Sequence, residues 1–138
     1  MPSFRFSSKF EDNTIHKVKF IYASSSFYYM KQIINLILTV LLTITSLLSV
    51  GLLWRQNLLL FLVLIVLAAL LLVMNRSKKE IKTFFFCGFF GPMAEVFVIT
   101  FGTWSYANPS MMGIPIWLFI LWGIASIFMV RGCSFFKD

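Results

Sequence analysis

IINLILTVLLTITSLLSVGLLW (residues 33–54), followed after only Arg55-Gln56-Asn57 by LLLFLVLIVLAALLLVM (residues 58–74), is the stretch that decides the fold. Neither run carries a charge, and neither alternates with the period of two that a half-buried strand or a membrane barrel requires. At about 1.5 Å per residue the two runs reach roughly 25–33 Å, the thickness of a bilayer's hydrocarbon core. Backbone groups in lipid need partners within their own segment, so both runs read as transmembrane helices joined by a short turn.

Two further runs, residues 83–101 and 114–130, have the same character and complete an all-α, polytopic membrane protein of four spans. The composition agrees: 59% of the 138 residues are hydrophobic and 12% are charged, too few charges to cover a soluble domain of this size. The sequence divides into an amino-terminal tail, residues 1–29, and a transmembrane domain, residues 30–138. The tail is mixed and Phe-rich, with no clean helical or strand period. Met30-Lys31-Gln32 directly before the first run resembles a natural start, so the tail is either a cytoplasmic amphipathic extension or an over-extended gene start. The first run is too long for a secretory signal and ends in no small-x-small cleavage site.

The cations set the expected orientation. Arg5, Lys9, Lys17, Lys19 and Lys31 precede the first run, Arg76, Lys78, Lys79 and Lys82 lie between the second and third, and Arg131 and Lys137 follow the fourth; Arg55 alone falls on the other side. The positive-inside rule then places both termini in the cytoplasm, with two short loops outside. The net charge of +7 is accounted for by this topology and by anionic headgroups, so no nucleic-acid partner is expected.

Cys87, Cys133 and His16, the only cysteines and histidine, cannot assemble a metal site or a structural disulfide. No phosphate loop, Ser-His-Asp set or carboxylate pair is present, and the sequence calls for no cofactor.

Glu95 is the only charge inside an apolar run. A carboxyl group there costs a few kcal/mol on insertion scales, so it faces the bundle and has a partner or a protonation role. Gly88, Gly91, Pro92, Glu95, Ile99 and Gly102, spaced by three or four apart from the adjacent Gly91 and Pro92, share a face suited to close helix approach. Pro92 removes a backbone hydrogen bond just below the acid and is placed to kink the helix. Glu95 lies about 9 Å beneath the outer end of its run. On the first run Asn35, Thr39, Thr43, Ser46 and Ser49 form a polar stripe, and Ser46 and Ser49 match the depth of Glu95, which makes them its expected hydrogen-bond partners. The second run has no polar side chain and reads as a lipid-facing wall.

The segment 101–118 is free of charge and rich in aromatics. Trp104, Tyr106 and Trp117 belong at the membrane interface, where such rings gather in most membrane proteins. Gly102, Asn108-Pro109, Gly113 and Pro115 shape a tight connection above the acid, as the lid of a site for an apolar ligand would be shaped. Trp122, seven residues into the fourth run, forms a further wall.

An intramembrane Glu, then Gly-x-Trp-x-Tyr, then Gly-x-Pro-x-Trp resembles small bacterial integral membrane proteins of the domain-of-unknown-function kind. It is more distantly similar to integral-membrane carotenoid-biosynthesis proteins, the carotenoid hydratases and heterodimeric lycopene cyclases. Glu95, Trp104, Tyr106, Gly113, Pro115 and Trp117 carry the resemblance, over roughly residues 89–128. It implies a bacterial cytoplasmic (inner) membrane protein in which an intramembrane acid protonates a polyene. The acid that follows the proline in the cyclases is replaced here by Ile116 and Trp117.

Three functions follow as expectations. The first is binding of, or action on, an apolar or isoprenoid lipid near the outer leaflet, with Glu95 as proton donor and Ser46, Ser49, Trp104, Tyr106, Trp117 and Trp122 as ligand-binding residues. The second is a structural or accessory subunit whose Gly88/Gly91 face docks on a membrane-complex partner or a second copy, with Glu95 as hydrogen-bond glue. The third is a small proton-coupled transporter, although in the small multidrug transporters the intramembrane Glu lies in the first helix.

Overall fold

A computed structural model describes residues 6–136, with side chains from Phe27 onward. Four helices follow one another: α1 (Phe6–Leu53), α2 (Asn57–Asn75), α3 (Lys78–Ile99) and α4 (Leu118–Phe135). Phe27–Leu53 of α1 and the whole of the other three are long and apolar enough to cross a membrane. Among the described residues no β-strand forms, and the protein is an all-α integral membrane protein.

The chain divides into two compact units, Met1–Asn35 and Leu36–Asp138. The described part of the first is helical from Phe6, although its sequence carries no helical period; the tail assigned to residues 1–29 lies partly outside the described residues. The physical reason is propagation. No glycine or proline occurs from Ser3 to Val50, and once the apolar run is helical each added turn needs no new nucleus.

In the second unit each helix buries one stripe. On α2 it is Leu60, Leu64, Ala68 and Leu71, on α3 Glu80, Phe84, Gly88 and Pro92, and on α4 Gly123, Ile124, Ile127 and Arg131. Spacings of three and four, with Gly123 and Ile124 adjacent on α4, keep each set on one side of its helix, while Leu62, Val66, Val73, Phe86 and Phe90 on other faces are exposed, as lipid-facing side chains are. The expectation that α2 is simply a lipid-facing wall is therefore corrected. One side of it forms the core, because a helix between others must bury one stripe to pack at all.

Packing is closest between α3 and α4. A Cβ added at Gly88 would stand 2.9 Å from the Phe119 carbonyl oxygen and 3.7 Å from Gly123 Cα, so the two backbones touch at that level. Lipid tails supply no hydrophobic drive between helices, and such close approach through small residues replaces it. The Gly88/Gly91 face is thus covered within the chain, and it is not open to a partner. α3 continues as a helix through Pro92, which is fully buried.

Between α3 and α4 the chain turns twice. Gly102, at φ +74°, ends the α3 turn with its N–H on the Ile99 carbonyl at 2.8 Å, which places it off the helix face assigned to it from spacing. Met112 and Gly113, at φ +50° and +81°, make a tight reversal closed by an antiparallel bridge between Met111 and Ile114. Ile114 is spent in that bridge and Pro115 lies beyond it, so α4 starts at Leu118 and runs to Phe135, four to five residues later than the apolar run suggests.

Candidate functional site

Glu95 stands four residues before the end of α3 and Trp122 four residues after the start of α4, so antiparallel packing brings both to about 6 Å below their helix ends. They meet there: Trp122 Nε1 donates to Glu95 Oε1 at 2.7 Å. The hydroxyl of Tyr106, on the connection above, donates to the other oxygen, Oε2. Burial, and secondarily Glu95 itself, push the Tyr106 phenol above its ordinary pKa, so the group stays protonated and remains a donor at neutral pH. Both oxygens of Glu95 are thus acceptors for side chains of this same chain.

The Tyr106 ring meets Trp117 edge to face, 6.4 Å between centroids and 88° between planes. Trp117 is buried, and its indole N–H reaches Asn57 Oδ1 at 3.2 Å. Asn57 also donates to the Asn108 carbonyl at 3.0 Å and to Ser110 Oγ at 2.7 Å, and Asn108 returns a bond to the Arg55 carbonyl at 3.1 Å. The start of α2 thereby holds the long connection over the bundle end.

A cleft of about 500 Å³ opens beside Glu95. Glu95, Tyr106, Trp117 and Trp122 stand at one end, Thr43 and Leu47 of α1 form one wall, and α4 forms the other from Leu118 to Met129. The eleven helical rises from Leu118 to Met129 give it a length of about 16 Å. Leu47 and Met129, both more than half exposed, lie on its rim, so it opens on the side of the bundle. Among the described residues no Lys, Arg or His lines it.

Of the residues singled out from sequence, Glu95, Tyr106, Trp117 and Trp122 come together. Trp104 does not: it is 49% exposed and does not line the cleft. Ser46 and Ser49 do not reach Glu95 as expected. Each donates to the carbonyl four residues back on its own helix, Leu42 and Thr45, a local bond that a helical serine can always make. The polar member of the α1 stripe that does line the cleft is Thr43.

A second polar cluster, at the opposite end of the bundle, was not foreseen. Arg131 donates through Nη2 to Glu80 Oε2 at 2.7 Å and to the Leu71 carbonyl at 2.8 Å, and through Nη1 to Thr39 Oγ1 at 2.8 Å. Its Nε reaches Glu80 Oε1 at 3.3 Å, where Asn75 also donates at 2.8 Å. All four helices contribute, and Arg131, counted above among the flanking cations, is 8% exposed. Among the described residues no buried side-chain nitrogen or oxygen lacks a partner, so this charge is compensated. The spacing offered a signal: Glu80 lies eight residues before Gly88 and Arg131 eight after Gly123, and antiparallel packing with Gly88 against Gly123 must set the two charges side by side. Comparison with family models, with curated proteins and with solved structures finds no match to this chain, so the site stands on its own geometry.

Proposed function

We propose that the protein is an intramembrane binding protein for an elongated apolar lipid of the isoprenoid or acyl class, which enters the cleft from the side and meets Glu95 at its end. The observation that carries this reading is a carboxyl group held by two side chains at the head of an otherwise apolar, laterally open cleft. A volume of about 500 Å³ lies in the range of small-molecule sites, and a few placed polar groups in an apolar lining are their common design. If the bound ligand reacts, Glu95 is the group at the end of the cleft placed to pass a proton to it, and the faces of Trp117 and Trp122 would stabilise the positive charge that forms. In this reading both termini face the cytoplasm, as the cation bias favours, and the cleft's polar end lies toward the outer leaflet of a bacterial inner membrane.

The test is Glu95→Gln. Glutamine still accepts from Trp122 and presents its amide to the Tyr106 oxygen, so the fold is retained. Mass spectrometry of the lipids that co-purify with each form should show a species enriched by the natural protein and lost or altered in the variant. Identical lipid profiles would overturn the reading. A second reading, Glu95 as a tether between α3, α4 and their connection in an accessory subunit, is favoured by its two internal partners. It predicts that Glu95→Gln leaves the lipids unchanged and that Glu95→Leu impairs membrane assembly.

A further inference from the structure

The hydrogen bonding of Glu95 also specifies what kind of headgroup the cleft accepts, an inference that rests on the lipid-binding reading above. The two oxygens of a carboxyl group carry about four lone-pair positions between them. Trp122 and Tyr106 take one on each oxygen, and the remaining two are available where Glu95 lines the cleft. Nearby donors are already spent: the Trp117 N–H is on Asn57, and the Thr43 hydroxyl is on the Thr39 carbonyl at 2.8 Å. Among the described residues the polar end therefore offers acceptors without a free donor, and no cation lines it. Phosphate, sulfate and carboxylate headgroups would enter an apolar setting with no lining cation and no free hydrogen-bond donor to compensate their charge. An amine or a hydroxyl would find two open acceptors.

The length of the cleft narrows the class further. It runs about 16 Å along α4 past Leu121, Ile124, Ala125, Phe128 and Met129, which is room for one extended chain. We infer that the ligand is a single-chain amphiphile with a non-anionic, hydrogen-bond-donating headgroup, a long-chain amine or alcohol, whose head sits on the free lone pairs of Glu95 and whose tail lies along α4.

The experiment uses the full chain in phosphatidylcholine nanodiscs, with Trp54→Phe and Trp104→Phe introduced so that only the cleft tryptophans, Trp117 and Trp122, fluoresce. Brominated hexadecylamine, hexadecanol and hexadecyl phosphate, which share one chain, are added in turn, and brominated phosphatidylcholine measures quenching by bulk lipid. The amine and the alcohol should quench saturably. The phosphate should bind at least about tenfold more weakly, the difference that a single unfavourable charge contact readily produces. Glu95→Gln should bring amine and phosphate to within about twofold of each other and leave the alcohol bound. Equal quenching by all three probes, or preference for the phosphate, would overturn the headgroup assignment and leave the cleft as a lipid site. Quenching by none of them above bulk lipid would overturn both. Should Glu95→Gln fail to assemble, the ranking of the three probes on the parent protein decides the matter alone.

Discussion

Arg131 and Glu80 lie fifty-one residues apart in sequence and 2.7 Å apart in space, each side chain only 7% exposed. The pair closes one end of the bundle as Glu95 and its partners close the other. Breaking a buried pair leaves an unpaired charge, so Arg131→Met should destabilise the protein by about 3–5 kcal/mol. Adding Glu80→Leu should restore most of that, since the orphaned charge is gone. Unfolding of the two variants by SDS titration in mixed micelles, followed by circular dichroism, measures the difference. Equal destabilisation in both would show that the pair is not what holds this end.

At the other end, a Cβ on Gly91 would fall within the Trp122 indole. The ring carries the N–H that reaches Glu95, so Gly91→Ala should displace it and lengthen that 2.7 Å bond. Overpacking of this kind costs about 1–3 kcal/mol. In a chain retaining only Trp122 among its tryptophans, the emission maximum should shift on Gly91→Ala and stay put on Gly132→Ala, because nothing stands within 4 Å of a Cβ at Gly132.

Tyr106 should ionise above the ordinary phenol value of about 10, as the absorbance titration of the natural protein minus that of Tyr106→Phe will read directly. Burial is the largest single cause, followed by the hydrogen bond to Glu95 and then its charge. Glu95→Gln should therefore lower the midpoint while leaving it above the ordinary value. An ordinary midpoint in the parent would mean that Tyr106 does not sit against Glu95.

Asn57 serves Trp117, Asn108 and Ser110 at once. Asn57→Ala leaves the buried indole N–H unpaired and frees the connection, at about 1–3 kcal/mol for the unsatisfied group. Proteolytic cleavage within residues 103–112 of the detergent-solubilised protein should become faster, with α3 and α4 themselves left intact. A cleavage rate equal to that of the natural protein would count against the tether.

Glu95 was legible in sequence because a charge in an apolar run has few explanations, and Tyr106, Trp117 and Trp122 because the Gly- and Pro-shaped connection between two spans has few places to go. That Tyr106 and Trp122, rather than serines of α1, hydrogen-bond Glu95 was not legible. Ser46 and Ser49 matched it in depth, but depth along a helix says nothing of which helix lies alongside, and a helical serine has its own backbone as a ready acceptor. Trp104 was singled out by its place in the charge-free connection and in the Gly-x-Trp-x-Tyr motif, and it stays outside the cleft.

The sequence by itself determined that four helices exist, where their apolar stretches lie and that one acid is caught among them, because hydropathy and helical period are local properties that lipid enforces segment by segment. Only the tertiary structure decided that α3 packs most closely on α4, that Arg131 leaves the surface for Glu80, and that Tyr106 and Trp122 share Glu95. Those outcomes depend on which glycine meets which backbone across the bundle, a contact between residues far apart in the chain that no local pattern encodes.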